Sequence, residues 1–538
     1  MVSKNSQHKQ SRTFILILIV ISCLLFIYKV GDRDLWAPDE DEYAQMSREM
    51  IRTNNWMFPT VNGEPWTVKP VLYNWLVSAV SLPWGDVNEF RARIFSALSA
   101  LGTVLTTYYI GRLAFSAPVG FLGALMLATS ILFVHHGRWA QTYVMSTFFA
   151  TLAIFLFFRG YRVPEKRSAS YLMMYAAVGL GVLTMGPVNL AIPALVVFFY
   201  LVFSKDLVHI KDLKLGWGIL IFMAIALPWY IAVSLQGGYA FDLIIWTNLS
   251  RYFSTGVGHA RPIYYYLQNI PWGFFPWSIF LPGAFLLAFS SRSNADKNAI
   301  RFLLVWIISL FLFFSFSKGK RPQYIFSIYP ALALLVGYLG DRAMHLWEDK
   351  FYRRAISIPS VASIAGLVFL AVALPVGTHL YYQDFFGVAL GISAVMATFG
   401  ILLWLAWRKK QPRRLILLPA AFIVVFIIFA VHVLIPKLEE YKSPRQFCEV
   451  IVDQMDEGAD WAMYKFYRAI YVYNTDSFVK VIETEQEMKH FLDRPNRAVV
   501  AMREEEYRKL TELITESTTV LRREQIGRKP MILISNRK

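Results

Sequence analysis

Cysteine is nearly absent from this chain, with two residues in 538, Cys23 and Cys448. One lies inside an apolar run and the other in a charged tail, so a disulfide between them is not expected, and no metal-type Cys spacing exists. Charge is also scarce. Only 17% of residues are Asp, Glu, Lys or Arg, against about 25% in soluble globular proteins, which excludes an ordinary soluble enzyme of this length. Hydrophobic residues make up 56%, aromatics 16%, and the mean hydropathy is +0.42. Trp and Tyr are abundant, as they are at bilayer interfaces. The composition is that of a polytopic α-helical membrane protein. The formal net charge of +17 does not call for nucleic acid, since no single basic domain stands apart. Cytoplasmic loops rich in Lys and Arg, facing anionic membrane lipids, account for it.

A helix needs about 20 apolar residues to cross the hydrocarbon. Roughly thirteen such runs are present, near 13–30, 91–114, 117–135, 142–159, 170–186, 188–204, 215–235, 272–290, 302–316, 323–341, 355–376, 385–407 and 415–436. Residues 1–12 are basic and precede a long apolar run with no small-residue cleavage site, so an uncleaved first span with a cytoplasmic N-terminus is expected. Segment 71–83 is apolar but short and aromatic, which predicts that it lies on the membrane rather than crossing it. The basic loops around Arg162, Lys211, Lys297, Arg353 and Lys410 then all fall on the side of the N-terminus, as the positive-inside bias requires. An odd number of spans places the tail on the opposite side.

Several cations break that bias. Lys69, Arg138, Arg251, His259, Arg261 and the group Lys318-Gly319-Lys320-Arg321 fall on the outer face. A phosphate or pyrophosphate ligand would compensate them through charge-assisted hydrogen bonds; the plainer alternative is contact with lipid headgroups. From about residue 438 the composition turns polar. Ser443-Pro444 reads as an N-cap followed by Pro at the first helical position. Strand-like runs at 461–466, 478–482, 498–502 and 531–534 alternate with helix-like stretches near 484–493 and 503–515, predicting a small α/β domain of about 100 residues outside the membrane. The expected division is therefore 1–437, a membrane domain with an outer loop 31–90, and 438–538, a packing or docking domain.

The chemistry-bearing residues lie in that outer loop. Asp39-Glu40-Asp41-Glu42 precedes a helix-like run at 43–52. Asp39 could cap this helix and the acids favour its dipole, but four adjacent acids exceed what a cap needs, and like charges this close raise each other's pKa. A carboxylate here suits a general base, or a group that orients and stabilises charge in a sugar-transfer transition state. Lys69-Pro70 enters the amphipathic stretch Val71-Leu72-Tyr73-Asn74-Trp75. It reads either as a snorkelling lysine at a helix end or as a compact cation that holds a lipid phosphate.

These residues resemble a known family. Pro38-Asp39-Glu40-x-x-Tyr43-Ala44, Trp56-x-x-Pro59, Asn62-Gly63 and Lys69-Pro70-x-Leu72-x-x-Trp75 look like the first outer loop of bacterial aminoarabinose (ArnT-type) transferases. Wider relatives are the protein O-mannosyltransferases and other polyprenyl-phosphate-dependent membrane glycosyltransferases of the GT-C class. The similarity continues in Leu183-Thr184-Met185-Gly186-Pro187, Leu227-Pro228-Trp229-Tyr230, Arg251-Tyr252, His259-Ala260-Arg261-Pro262, Phe275-Pro276-Trp277, Ser315-Phe316-Ser317-Lys318 and Tyr324. It implies a GT-C-like fold in a bacterial inner membrane with the active site and tail on the periplasmic side. It also implies inverting transfer of a sugar, such as 4-amino-4-deoxy-L-arabinose, from undecaprenyl phosphate to lipid A or another envelope acceptor. In that reading Asp39 and Glu40 are catalytic. Lys69, Tyr73, Arg138, Arg261, Lys318, Lys320, Arg321 and Tyr324 contact substrate or phosphate, and His259 falls near a histidine that takes part in metal binding.

The departures from the pattern are specific. Val68 stands where the family has Glu, which weakens a Glu/His divalent-metal site and favours a structural or phosphate-contacting His259; no cofactor is otherwise required. Tyr143 replaces an Asp and Met185 replaces a Lys, changes that bear on donor sugar and acceptor more than on reaction class. A lipid or sugar transporter would carry polar residues at the bilayer midplane in broken helices, whereas these spans are mostly clean and the polar groups gather at one face. A protein O-mannosyltransferase-like enzyme and a catalytically silent relative complete the alternatives.

Overall fold

The computed structural model describes residues 4–66, 68–236, 260–290, 292, 296–514 and 518–536. They form two compact units. One comprises Met1–Val30, Thr67–Tyr73 and Arg93–His432; the other comprises Gly31–Trp66, Asn74–Ala92 and Val433–Lys538.

The first unit is a multi-pass helical bundle. Among the described residues, ten helices are long and apolar enough to cross a membrane. Two further pairs, Ala117–Ala128 with Ile131–Gly137 and Tyr265–Gly273 with Trp277–Ala288, are bent by 68° and 114°, and Val188–Phe203 is a shorter apolar helix. Each of the thirteen runs expected from hydropathy falls on one of these. Burial separates axis from periphery. In Pro322–His345, 89% of the apolar window is enclosed by protein, against 17% in Lys350–Tyr381, so the former is central and the latter turns its side chains outward as a lipid-facing helix does.

Small residues let the central helices touch. A Cβ at Gly337 would lie 2.6 Å from the backbone nitrogen of Gly123, a backbone approach that membrane helices use in place of a hydrophobic driving force. The two bent pairs satisfy each other at their breaks. Ile131 N–H donates to the Phe275 carbonyl at 3.0 Å, and Trp277 Nε1 donates to Thr129 Oγ1 at 3.0 Å. Backbone groups released by the bends are thereby recovered inside protein.

The second unit joins the outer loop to the tail. Helix Glu40–Thr53 is buried along most of its length because both neighbours supply partners for its polar side chains. Arg48 donates to the Tyr473 carbonyl at 2.6 Å, its guanidinium lies 3.9 Å from the Tyr473 ring centroid, and it pairs with Asp86 at 2.6 Å. Arg52 pairs with Asp476. Glu49 holds the short hairpin β1 (Thr60–Val61) and β2 (Glu64–Pro65), accepting from Thr60 Oγ1 and from the N–H groups of Asn62 and Gly63. Asn62 and Gly63 are both at positive φ, the backbone that a two-residue hairpin turn demands and that Asn-Gly best supplies. Asn62 also exchanges two hydrogen bonds with the Val479 backbone, at 2.8 and 2.9 Å.

The tail carries a mixed five-stranded sheet in the order β4-β3-β5-β7-β6, built from β3 (Asp460–Tyr464), β4 (Lys480–Ile482), β5 (Ala498–Arg503), β6 (Thr519–Ile526) and β7 (Lys529–Ser535). β3 is parallel to β4 and β5, while β7 is antiparallel to β5 and β6. Helices Glu485–Leu492 and Glu504–Ile514 follow the expected stretches, and Met488, Phe491 and Leu510 join Val500 and Ile532 in one core. The strand Thr519–Ile526 was not expected. Its Arg522, Arg523 and Glu524 interrupt apolar alternation because it is a half-exposed strand at the sheet edge. The helix after Ser443-Pro444 starts one residue later than expected, at Arg445, with the Ser443 hydroxyl accepting from Arg445 N–H.

Two predictions follow from these contacts. Gly337→Ala should destabilise the bundle by about 1–3 kcal/mol through overpacking, read by denaturant titration in detergent, while Gly366→Ala, with nothing within 4 Å of its Cβ, should be near neutral. Asp41 accepts from Ile470 N–H at 3.0 Å, and burial raises its pKa from 3.8 to about 6 against the lowering effect of that bond. A folded-state pKa above the unfolded value gives stability that is present below about pH 4 and lost as pH rises through about 6. Asp41→Asn keeps an acceptor for Ile470 and removes the charge. Thermal unfolding should show wild type and variant alike near pH 4, and the variant more stable at pH 7.

Candidate active site

In the helical unit, a cavity of about 60 Å³ is lined by Lys69, Tyr143, Met185, Ser317, Gly319 and Tyr324, among others. That is space for about four waters, on the scale of a lipid headgroup's charged end. Lys69 is only 8% exposed. Its Nζ lies 3.1 Å from Met185 Sδ and 5.7 Å from the Tyr143 ring centroid. The Tyr143 and Tyr324 rings are 5.8 Å apart, centroid to centroid. Two of the three positions at which the sequence departs from the ArnT-type pattern, Tyr143 and Met185, thus sit against Lys69. A soft sulfur and a ring face form this wall of its pocket.

The basic turn closes one side. Gly319 pairs with Ala260 in an isolated antiparallel bridge, and Arg261 N–H donates to the Lys318 carbonyl at 3.2 Å. Lys320 is buried and donates to the carbonyls of Arg261, at 2.9 Å, and Ser317. Burial and the neighbouring Lys318 hold its pKa below the usual lysine range. Lys320 therefore shapes the turn, while Lys318 and Arg261 are exposed. Arg321 begins the short helix Pro322–Ile328 that carries Tyr324.

Two of the expected phosphate contacts have other partners. Tyr73 is fully buried, with its hydroxyl 3.0 Å from Ser96 Oγ. Arg138 donates to the carbonyls of Leu25, Tyr28 and Lys29, at the end of the first span, where helix carbonyls need partners. Arg251 and His259 lie outside the described residues. Among the described residues, no group of three His, Cys, Asp or Glu side chains is placed to hold a metal ion.

Asp39 and Glu40 belong to the loop-and-tail unit. Glu40 is fully buried, accepting from Arg33 at 2.7 Å and from Trp36 N–H at 3.0 Å. Its carboxylate fixes the turn that delivers Asp39. Asp39 stands at the N-cap position of Glu40–Thr53 with φ 88° and ψ −58°, and its side chain makes no capping bond. The capping role open in the sequence is therefore unfilled. These angles are those of the rare, strained γ-turn, and strain of this kind persists where surrounding contacts enforce it and clusters at functional sites. Nothing in the sequence signals that conformation, whereas Arg33, seven residues before Glu40, was a findable partner.

With this geometry established, similarity to known proteins can be stated. Residues 11–244 match the dolichyl-phosphate-mannose-protein mannosyltransferase family. The chain is 28% identical over 398 residues to the undecaprenyl phosphate-alpha-4-amino-4-deoxy-L-arabinose arabinosyl transferase of Aeromonas salmonicida, covering 73% of this chain and 72% of the relative. The Aeromonas hydrophila protein of the same name is 28% identical over 432 residues, covering 79% and 78%. The crystal structure of ArnT from Cupriavidus metallidurans bound to undecaprenyl phosphate superposes with a TM-score of 0.82 at 19% identity, covering 97% of this chain and 98% of that one. End to end, membrane bundle and small sheet domain included, the chain has the fold of that structure.

Proposed function

We propose that this chain is a polyprenyl-phosphate-dependent inverting glycosyltransferase. In this reading it transfers a sugar, of the 4-amino-4-deoxy-L-arabinose kind or a related pentose or hexose, from undecaprenyl phosphate to a phosphorylated envelope lipid such as lipid A. The reaction takes place on the periplasmic face of a bacterial inner membrane. The observation that carries the reading is the enclosed cationic pocket around Lys69, in a chain whose whole length follows the fold of an undecaprenyl phosphate-bound transferase. The names of the relatives support the donor.

The reaction needs little covalent help from protein. An acceptor oxygen attacks the anomeric carbon from the face opposite the phosphate. The bond from that carbon to the phosphate oxygen breaks, and polyprenyl phosphate departs with the electron pair. Lys69 neutralises the charge that grows on the departing phosphate, an electrostatic effect strongest in an enclosed site. Tyr324 lines the same pocket, as does Gly319 of the basic turn, and in this reading Arg261, Lys318 and Arg321 contact the phosphate as it enters or leaves. Asp39 orients the attacking group. A phosphate acceptor brings its own nucleophilic oxygen, whereas a hydroxyl would also require Asp39 to take its proton. Glu40 acts through Asp39 as a positioning residue.

The test is transfer in vesicles loaded with polyprenyl-phosphate sugar. Asp39→Asn and Lys69→Ala should each lower turnover by about 10²–10³-fold, with unchanged thermal unfolding. Full activity in either variant removes that residue from the mechanism. Movement of the lipid-linked sugar across the vesicle without cleavage of its phosphate bond would replace the transferase reading by a transporter.

A further inference from the structure

The loop-and-tail unit contains a second cavity, of about 440 Å³, that the donor chemistry does not use. One wall is Leu35-Trp36-Ala37-Pro38, the segment that ends in Asp39. The other comes from the tail. Five cations line it, Lys442, Arg468, Arg503, Arg528 and Lys529, and no Asp or Glu does.

The fold gathers these charges from four places. Lys442 ends the helix Ile435–Lys442, and Arg468 precedes the helix Ala469–Thr475. Arg503 is the last residue of β5 and pairs in register with Met531 of β7, which brings it close to Arg528 and Lys529 at the β6–β7 turn. Lys442 Nζ lies 4.0 Å from the Trp36 ring centroid. Arg503 has an exposed partner, Glu505 at 3.3 Å, a kind of pair worth little in water. Arg503 and Arg468 also act on Lys529, whose pKa falls below the usual lysine range through burial and these two charges. A set of like charges held this close repels itself, and an anion relieves that cost while gaining charge-assisted hydrogen bonds.

The size and walls of the cavity narrow the anion. A volume of about 440 Å³ lies within the range of small-ligand sites and exceeds what one phosphate fills. Trp36, Phe466, Tyr467 and Tyr471 give it flat apolar faces suited to the rings of a sugar. A planar bilayer surface matches a convex basic patch, and this one is concave. We propose that the cleft is the acceptor site, binding the phosphorylated sugar headgroup of a glycolipid next to Asp39. The assignment rests on the transferase reading and adds to it the residues that select a phosphorylated acceptor.

Full-length protein in phosphatidylcholine nanodiscs tests this with three lipids: a phosphorylated glycolipid, the same lipid after phosphatase treatment, and phosphatidylglycerol. Wild type should bind the first at least about tenfold more tightly than the other two. Arg468→Glu with Lys529→Glu should erase that preference, and Arg468→Gln with Lys529→Gln should reduce it, which keeps the test available if charge reversal impairs folding. In turnover, the neutral pair should raise KM for the phosphorylated acceptor and leave KM for the donor in place. Equal binding of phosphatidylglycerol, indifference to phosphatase treatment, or a shift in donor KM instead would each overturn the assignment. Binding through the cleft without any sugar transfer would leave the site standing and sink the transferase reading. Transfer with an acceptor KM unmoved by the variants would do the reverse.

Discussion

A backbone surrounded by hydrocarbon has no water to bond with, and this requirement decides where the helical unit can bend and where it can hold charge. The two sharply bent helix pairs meet at their breaks, where Ile131 N–H bonds the Phe275 carbonyl and the Trp277 indole bonds the Thr129 hydroxyl. The end of the first span is closed by a side chain, the Arg138 guanidinium on three carbonyls. Lys69 meets the same demand differently. Its ammonium is buried, with a thioether and an aromatic face among its neighbours. The pocket and the bundle thus follow from one rule applied to backbone and side chain in turn.

The loop-and-tail unit obeys the opposite economy. Water is close by, yet its acidic helix is buried, and nearly every acid there has a specific donor. Glu40 takes Arg33 and Trp36 N–H, Asp41 takes Ile470 N–H, and Glu49 takes the hairpin. Of the four consecutive acids, Glu40 and Asp41 are occupied in holding structure. Their neighbour Asp39 is displayed in a strained turn with no capping bond. The cluster that looked like one functional feature thus contains two buried supports, Glu40 and Asp41, beside the strained Asp39.

Hydropathy was a good guide to the bundle because lipid imposes a length on every crossing; all thirteen runs have a helical counterpart. Within the tail, strands whose inner faces are fully apolar, such as Ala498–Arg503, were visible. The charged edge strand Thr519–Ile526 was not, since nothing distinguishes its alternation from a solvated loop. Lys69 stood out as a cation on the wrong side of the charge bias, and Tyr324 through resemblance. Arg138 stood out in the same way, and its guanidinium bonds three carbonyls at the end of the first span, a demand that the bias alone does not reveal. The cationic cleft was invisible in the sequence because its five members are spread over residues 442–529 and only the folded tail, through two helix ends and the sheet register, assembles them.

The partnership of Arg48 with the Tyr473 carbonyl spans 425 positions along the chain. During synthesis the outer loop emerges almost first and its partners in the tail almost last, with every later helix of the bundle made in between. Contacts of such long range are slow to form, and until the tail arrives Arg48 lacks the Tyr473 carbonyl and Asp41 the Ile470 N–H. Assembly of the outer unit therefore depends on both ends of the chain. A chain that stopped before Ile470 would leave the acidic helix without these two ties, however complete its bundle.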